Sequence, residues 1–211
     1  MDADLLSRYI IALTNLYGVV PEKKVVEIYN LYNIPRANLG DLEMSLVKMD
    51  LAANLVTRKA GYFIKDYLIF EDEYLNMLKE QGDVEFYVPG HDEILQYEDE
   101  FYFQSSKEFQ DFEQCLIDCF DLEPSIHKQI IEMLMMDCQL GFDMKRILAE
   151  LDKKRLEFES IDDMNNFMHS FKKLCSKARK WQYRGHTYNE LFSKIRVNGV
   201  KERFKRILGR D

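Results

Sequence analysis

The residue types that could do chemistry in this chain are its cysteines, its histidines and a dense run of carboxylates. Cys115 and Cys119 lie four positions apart, so a helix would place both thiols on one face as a metal or redox pair. A structural zinc site needs four ligands, and no second ligand pair lies nearby. We therefore expect buried free thiols at all the cysteines, Cys138 and Cys175 included, with the pair as the alternative.

His91, Asp92 and Glu93 form the densest polar triplet in the chain. They follow Pro89-Gly90, so a turn that leads into a helix explains them, with acid at the positive end of the helix dipole. The sequence lacks the nucleophile elbow, the phosphate-binding loop, the dinucleotide fingerprint and the zinc-protease motif. We expect no catalytic residue, no metal ligand and no cofactor.

Charge is distributed very unevenly along the chain. Residues 71–123 carry two basic and seventeen acidic residues, whereas residues 171–211 carry thirteen basic and three acidic ones. These two segments could neutralise each other within one fold, or each could face its own partner. Carboxylates that met in space could also hold a divalent cation, which makes a metal-dependent enzyme the remote alternative.

Two groups of basic residues are candidates for binding nucleic acid. One group lies at the tip of a predicted hairpin, and the other alternates with aromatic residues, a pattern that suits single-stranded nucleic acid. The same residues also suit an exposed helix face that pairs with the acidic segment. The candidates are Arg58, Lys59, Lys177, Lys180, Trp181 and Arg184.

The elements that would position these residues begin with three helices over residues 1–51. Apolar residues recur with the helical period from Leu5 to Leu16, and again after Pro21. Asn38 with Asp41 predicts a capping box for the third helix. The period then changes to two in residues 55–58 and 62–65, which predicts a hairpin. Three helices followed by a tight hairpin is the order of a winged-helix module, here over residues 1–70.

The third predicted helix, Leu39 to Leu51, is poorly suited to DNA. It carries Asp41, Glu43 and Asp50 against Lys48 alone, so it would repel the phosphates that it should approach. We therefore expect the winged-helix-like module to contact protein or only to pack.

Residues 71–211 are predicted to form a larger helical domain. Gly82 ends one helix, Ser105 with Glu108 predicts a cap for the next, and Pro124 begins another. After Val200 the chain has apolar residues on one side and basic residues around them. The predicted fold class is mainly α with a small β-hairpin.

Two stretches resemble a family of uncharacterised bacterial and phage proteins that often end in a SEC-C zinc-binding motif. Residues 86–102 resemble its Y-x-P and E-I-L-x-Y-x-D-E-x-Y pattern. The second stretch resembles a tryptophan followed by G-H-T-P-N-E-L, with Tyr188 in place of the proline. It comprises Trp181, Gly185, His186, Thr187, Asn189 and Glu190.

The resemblance implies a helical, cytoplasmic bacterial protein, and its motif residues could form either a conformational lock or a site. No cysteine follows Cys175, so the zinc motif is absent. No window approaches the roughly 18 apolar residues of a membrane span. We predict a cytoplasmic, non-enzymatic interaction or regulatory protein that binds another protein. A nucleic-acid-binding regulator is the alternative.

Overall fold

Helices dominate the computed structural model, which describes residues 2–47, 49–141 and 144–193. The prediction of a mainly α fold with a small β-hairpin is confirmed. The predicted apolar and basic tail after Val200, and Lys48 of the predicted third helix, lie outside the described residues. No helix of the described part combines the length and apolarity that crossing a membrane requires. The helices are α1 (Ala3–Tyr17), α2 (Glu22–Tyr32), α3 (Leu39–Leu46), α4 (Glu73–Gln81), α5 (Lys107–Cys119), α6 (Pro124–Leu140), α7 (Met144–Lys153) and α8 (Ile161–Lys177).

The N-terminal elements run helix, strand, helix, helix, strand, strand. Strands β2 (Val56–Lys59) and β3 (Tyr62–Lys65) form the predicted hairpin, and β1 (Val19–Pro21) pairs with β3 to give the order β1-β3-β2. Strand β1 is new, because three residues are too few to show a period. This order is that expected of a winged-helix module, and a relationship to winged-helix proteins stays a prediction.

Side-chain caps set where two of these helices begin. The Asn38 side chain accepts hydrogen bonds from the backbone N–H groups of Gly40 and Asp41, and the Asp41 carboxylate accepts one from the Asn38 N–H. The predicted capping box of α3 is therefore confirmed. Helix α5 begins one residue later than the predicted Ser105 cap implies. The Ser106 hydroxyl, which accepts from the Phe109 N–H at 3.1 Å, is the cap instead.

The two larger hydrophobic cores both contact Tyr102 at their edges. The first is formed by α1, α2, α3 and the sheet, and it also buries Ile94 and Tyr97 from beyond residue 70. The second lies among α5, α6, α7 and α8, where Phe112, Phe167 and Phe171 are fully buried. Packing therefore crosses the predicted boundary near residue 70, and the division into 1–70 and 71–211 stays a prediction.

The cysteines correct one expectation. Cys138 of α6 and Cys175 of α8 are joined in a buried disulfide, so the prediction of free thiols is wrong for these two. Cys115 and Cys119 are free and half-buried. Sequence spacing did not reveal the disulfide, because the packing of α6 against α8 brings its two cysteines together from 37 residues apart.

Trp181 joins the C-terminal part of the described chain to the sheet. Its indole is fully buried with Val19 and Ile64, and it stacks on the Tyr67 ring at 5.5 Å. Gly18 has φ +70, and a Cβ there would lie 2.5 Å from Trp181 Cδ2. Glycine is therefore required at position 18 both by the backbone conformation and by the indole.

We expect Gly18→Ala to destabilise the protein more than Gly61→Ala. Both glycines have positive φ, but a Cβ at Gly61 meets nothing within 4 Å. Gly61→Ala should cost about 1 kcal/mol of backbone strain, and Gly18→Ala about 2 kcal/mol more because of overpacking. Urea unfolding followed by the fluorescence of the single tryptophan measures both values. Equal costs would show that the indole does not depend on Gly18.

Candidate functional site

The basic residues of the predicted wing are paired with acids. The Arg58 guanidinium binds the carboxylates of Glu22, at 2.7 Å, and of Glu43, and these bonds raise its pKa. Lys59 binds Asp72 at 2.7 Å. These cations therefore already have counter-charges within the protein, and phosphates would have to compete for them.

The C-terminal candidates are also committed to other groups. Lys177 pairs with Glu108 at 3.2 Å, and Arg184 donates to the carbonyl oxygens of residues 82 and 84. Lys180 is buried and donates to the Cys138 carbonyl oxygen, and burial lowers its pKa to about 8. The Trp181 ring is fully buried, so it is not displayed to stack on a base.

The residues of the second family-like stretch surround this tryptophan. The Trp181 Nε1–H donates to the Asn15 carbonyl oxygen at 2.9 Å. Gly185 has φ +83 and lies against Tyr17, where a Cβ would approach the ring to 2.8 Å. Thr187 and Glu190 form a cap at the start of the helical turn 188–193. The side chain of each accepts a hydrogen bond from the other's backbone N–H. Asn189 lines a pocket of about 430 Å³ that Lys180 also lines.

Arg179, which sequence reasoning did not single out, is the centre of a polar cluster that joins the two family-like stretches. It donates to the Tyr97 hydroxyl at 2.7 Å, to Glu190 at 2.9 Å and to Glu93 at 3.2 Å. Its guanidinium carbon lies 3.5 Å from the centroid of the Tyr87 ring, a cation–π contact. We call Arg179, Tyr87, Glu93, Tyr97 and Glu190 the Arg179 cluster.

Glu93 accepts more hydrogen bonds than Glu190, the other carboxylate of the Arg179 cluster. Burial acts to raise its pKa, but hydrogen bonds from Tyr97 and Tyr87 and the charge of Arg179 outweigh burial and lower it. The Tyr87 hydroxyl donates at 2.7 Å and the Gly90 N–H at 3.2 Å. Glu93 is therefore held as a carboxylate, and its hydrogen-bonding capacity is used inside the protein.

His186 completes the edge of this cluster. Its Nε2 lies 3.1 Å from the Glu85 carbonyl oxygen, and its ring meets the edge of the Tyr87 ring. Because the charged groups bind each other, the Arg179 cluster is suited to holding residues 85–97 against residues 179–190. This geometry favours the conformational lock over the reactive site. Among the described residues, no group of three or more His, Cys, Asp or Glu side chains could hold a metal ion.

The outward face of α3 has a different character. Gly40, Glu43, Met44 and Val47 are exposed at positions i, i+3, i+4 and i+7, so they form one stripe. Met44 is 61% exposed and Val47 is 84% exposed. Large apolar side chains are thus displayed beside the Glu43 carboxylate, on the helix that a DNA-binding winged helix would place in the major groove.

A cleft of about 620 Å³ lies beside this stripe, between α1, α3 and the segment that leads to β2. We call it the α1–α3 cleft. Ile11, Met44 and Met49 supply apolar lining, and Asp4 and Asp50 supply carboxylates. Concave surfaces that combine apolar walls with a few polar groups are the usual form of binding sites.

Several residues of the Arg179 cluster could be recognised from the sequence, but the contact between them in space could not be predicted. Tyr87, Glu93 and Tyr97 lie in the first family-like stretch and Glu190 in the second, and this was the available signal. Arg179 and Glu93 are 86 positions apart, and spacing carries no information about pairing at that distance.

No family model, no curated protein and no solved structure matches this chain. The resemblance to the bacterial and phage family therefore stays a prediction.

We expect Arg179→Ala to destabilise the protein far more than Lys177→Ala. The Arg179 side chain is 12% exposed and its removal leaves Glu93 poorly compensated, whereas Lys177 forms an exposed pair. Hydrogen bonds to charged groups contribute about 1.5–3 kcal/mol each, but losing an exposed ion pair costs less than about 1 kcal/mol. Urea unfolding gives both values. Similar small losses for both variants would contradict the assignment of a lock.

Glu93 should also make stability depend on pH. Because its folded pKa is lowered, its contribution is present above the ordinary value of about 4.3 and is lost as the pH falls below it. Glu93→Gln should therefore flatten the fall in unfolding free energy between about pH 6 and about pH 3. Glu150→Gln is the control, because Glu150 pairs with Lys153 at the surface, where solvent screening keeps its contribution to that slope small.

Proposed function

We propose that this chain is a non-enzymatic interaction or regulatory protein whose winged-helix-like N-terminal module binds another protein. The observation that supports the proposal is the α1–α3 cleft, together with the exposed Met44 and Val47 of the adjacent stripe. Two exposed apolar side chains beside a cleft with apolar walls favour a partner that covers them, because their contact with water is unfavourable.

The lining of the cleft indicates the chemistry of that partner. Met44 and Met49 are unbranched and polarizable, so they can adjust to an inserted apolar side chain. Asp4 and Asp50 also line the cleft, whereas Arg8, the cation among its described lining residues, is bound to Glu98 at 2.8 Å. We therefore propose a partner segment with an apolar side chain flanked by lysine or arginine, docked like an amphipathic helix in a groove.

Protein binding is better supported than the nucleic-acid alternative. Arg58 and Lys59 of the wing are paired with carboxylates, and Trp181 is buried. A contiguous positive face would need these groups free to meet phosphates, since affinity for DNA depends on the phosphates that are neutralised. The metal-dependent enzyme stays the remote alternative.

The proposal places this interaction in the cytoplasm. The free thiols of Cys115 and Cys119 fit a reducing compartment, whereas the Cys138–Cys175 disulfide is unusual there.

Selection of a random peptide library against the full chain tests the proposal. We expect the enriched peptides to carry apolar residues flanked by lysine or arginine. Met44→Asp should weaken the best peptide by roughly 30-fold or more, the effect of an interface hot spot of about 2 kcal/mol. Calorimetric titration of the purified variants measures this change.

Ile161→Asp is the matched control. Ile161 is 74% exposed, and it is the first residue of α8, where an acid is favoured by the helix dipole. This variant should bind the peptide as well as the unchanged protein does. Peptides that bind Met44→Asp undiminished would overturn the proposal. So would salt-sensitive binding of random DNA in the absence of any peptide enrichment.

A further inference from the structure

The two free thiols lie together in a pocket between α5 and the first turns of α8. Cys115 and Cys119 are separated by one turn of α5, and both side chains line the same pocket. Cys119 Sγ also donates to the Asp163 carbonyl oxygen at 3.9 Å. Both side chains line a pocket of about 320 Å³ and are half-buried, so an ion could reach them from solvent.

We propose that Cys115 and Cys119 form a two-sulfur site for one soft monovalent cation of the Cu(I) class. Soft thiolate ligands select Cu(I) over hard cations such as Mg²⁺ and Ca²⁺. Such an ion accepts two sulfur ligands in a near-linear arrangement, and two sulfurs from adjacent turns of one helix face supply that number. The site is independent of the proposed protein-binding function, because α5 belongs to the second core.

The surroundings of the thiols set the charge of this site. Asp111, Asp118 and Asp163 also line the pocket. Burial raises the pKa of both thiols, and the charges of Asp118 and Asp163 add to that effect. The negative potential of these carboxylates attracts a cation into the pocket, while the thiols stay protonated until the cation displaces their protons.

The number of ligands argues against zinc. Structural zinc sites use four ligands and catalytic ones three plus water. In the part of the chain that the structure describes, no third His, Cys, Asp or Glu completes a metal-binding group with these cysteines. Hence an ion that is satisfied by two sulfurs fits the pocket, and one that needs tetrahedral coordination does not.

Binding is an exchange of protons for metal without any change of oxidation state. Each sulfur–hydrogen bond is broken and one sulfur–metal bond forms in its place. One cation and two thiols give a dithiolate complex with a net charge of −1, and two protons leave to solvent. No oxidant or reductant is consumed.

Silver(I) is the probe for the test, because it is a soft monovalent cation that does not change oxidation state in air. The full chain, without thiol reductant or chloride, is titrated in weakly buffered nitrate solution and followed by calorimetry and proton release. We expect one tightly bound silver ion per chain, with two protons released. Losing a residue that only hydrogen-bonds to a metal ligand costs about 10–100-fold in metal affinity, so losing one of the two ligands should cost more than about 100-fold.

Cys115→Ser and Cys119→Ser should therefore each abolish the tight site, with circular dichroism confirming that α5 is retained. Asn166→Ala is the matched control, since Asn166 lines the same pocket and its change leaves both sulfurs and all three carboxylates, so this variant should keep one ion per chain. The ten methionines offer weak silver binding that is common to all variants. Tight binding that survives either serine substitution, two silver ions per chain on separate thiols, or no tight site in the unchanged protein would each overturn the proposal.

Discussion

The burial of the Trp181 indole against α1 and the sheet is the contact on which the arrangement of the described chain depends. A tryptophan side chain buries up to about 250 Å² on such packing, which makes it a large contribution from a single residue. The space for the ring exists because Gly18 has no side chain. Gln81 of α4 adds to this junction by donating to the carbonyl oxygens of Tyr17 and Trp181, each at 3.0 Å. Because Arg179 lies two residues before Trp181, the packing of the indole places Arg179 beside Glu93 and Tyr97.

The position of Arg179 shows that basic residues of the C-terminal segment form ion pairs within the protein. The charge of that segment suggested a surface for nucleic acid, but Arg179 compensates Glu93 and Glu190, and Lys177 compensates Glu108. Lys180 is buried, so it is not displayed. Among the described residues, part of the attraction between the acidic middle and the basic end is thus realised within one fold. The displayed face of the N-terminal module is instead apolar and acidic, which is why we propose a protein partner rather than a nucleic acid.

Local features of the fold could be predicted where one or two neighbouring residues decide the outcome. Asn38 and Asp41 form the capping box of α3, because both partners of each hydrogen bond lie within four residues. The Ser105 prediction failed by one position, since two adjacent serines offer the same hydroxyl and only the path of the chain selects Ser106. The disulfide between Cys138 and Cys175 could not be predicted, because it depends on the packing of two helices that are distant in sequence.

The sequence by itself determined the helices, the hairpin and the acidic character of α3, since period, turn residues and charge are local properties. It also supplied the two stretches whose residues meet in the Arg179 cluster. Only the tertiary structure decided that they meet, that Trp181 is buried rather than displayed, and that Cys115 and Cys119 share a pocket. The physical reason is that burial and ion pairing depend on contacts between distant segments, and these contacts exist only after the cores have packed.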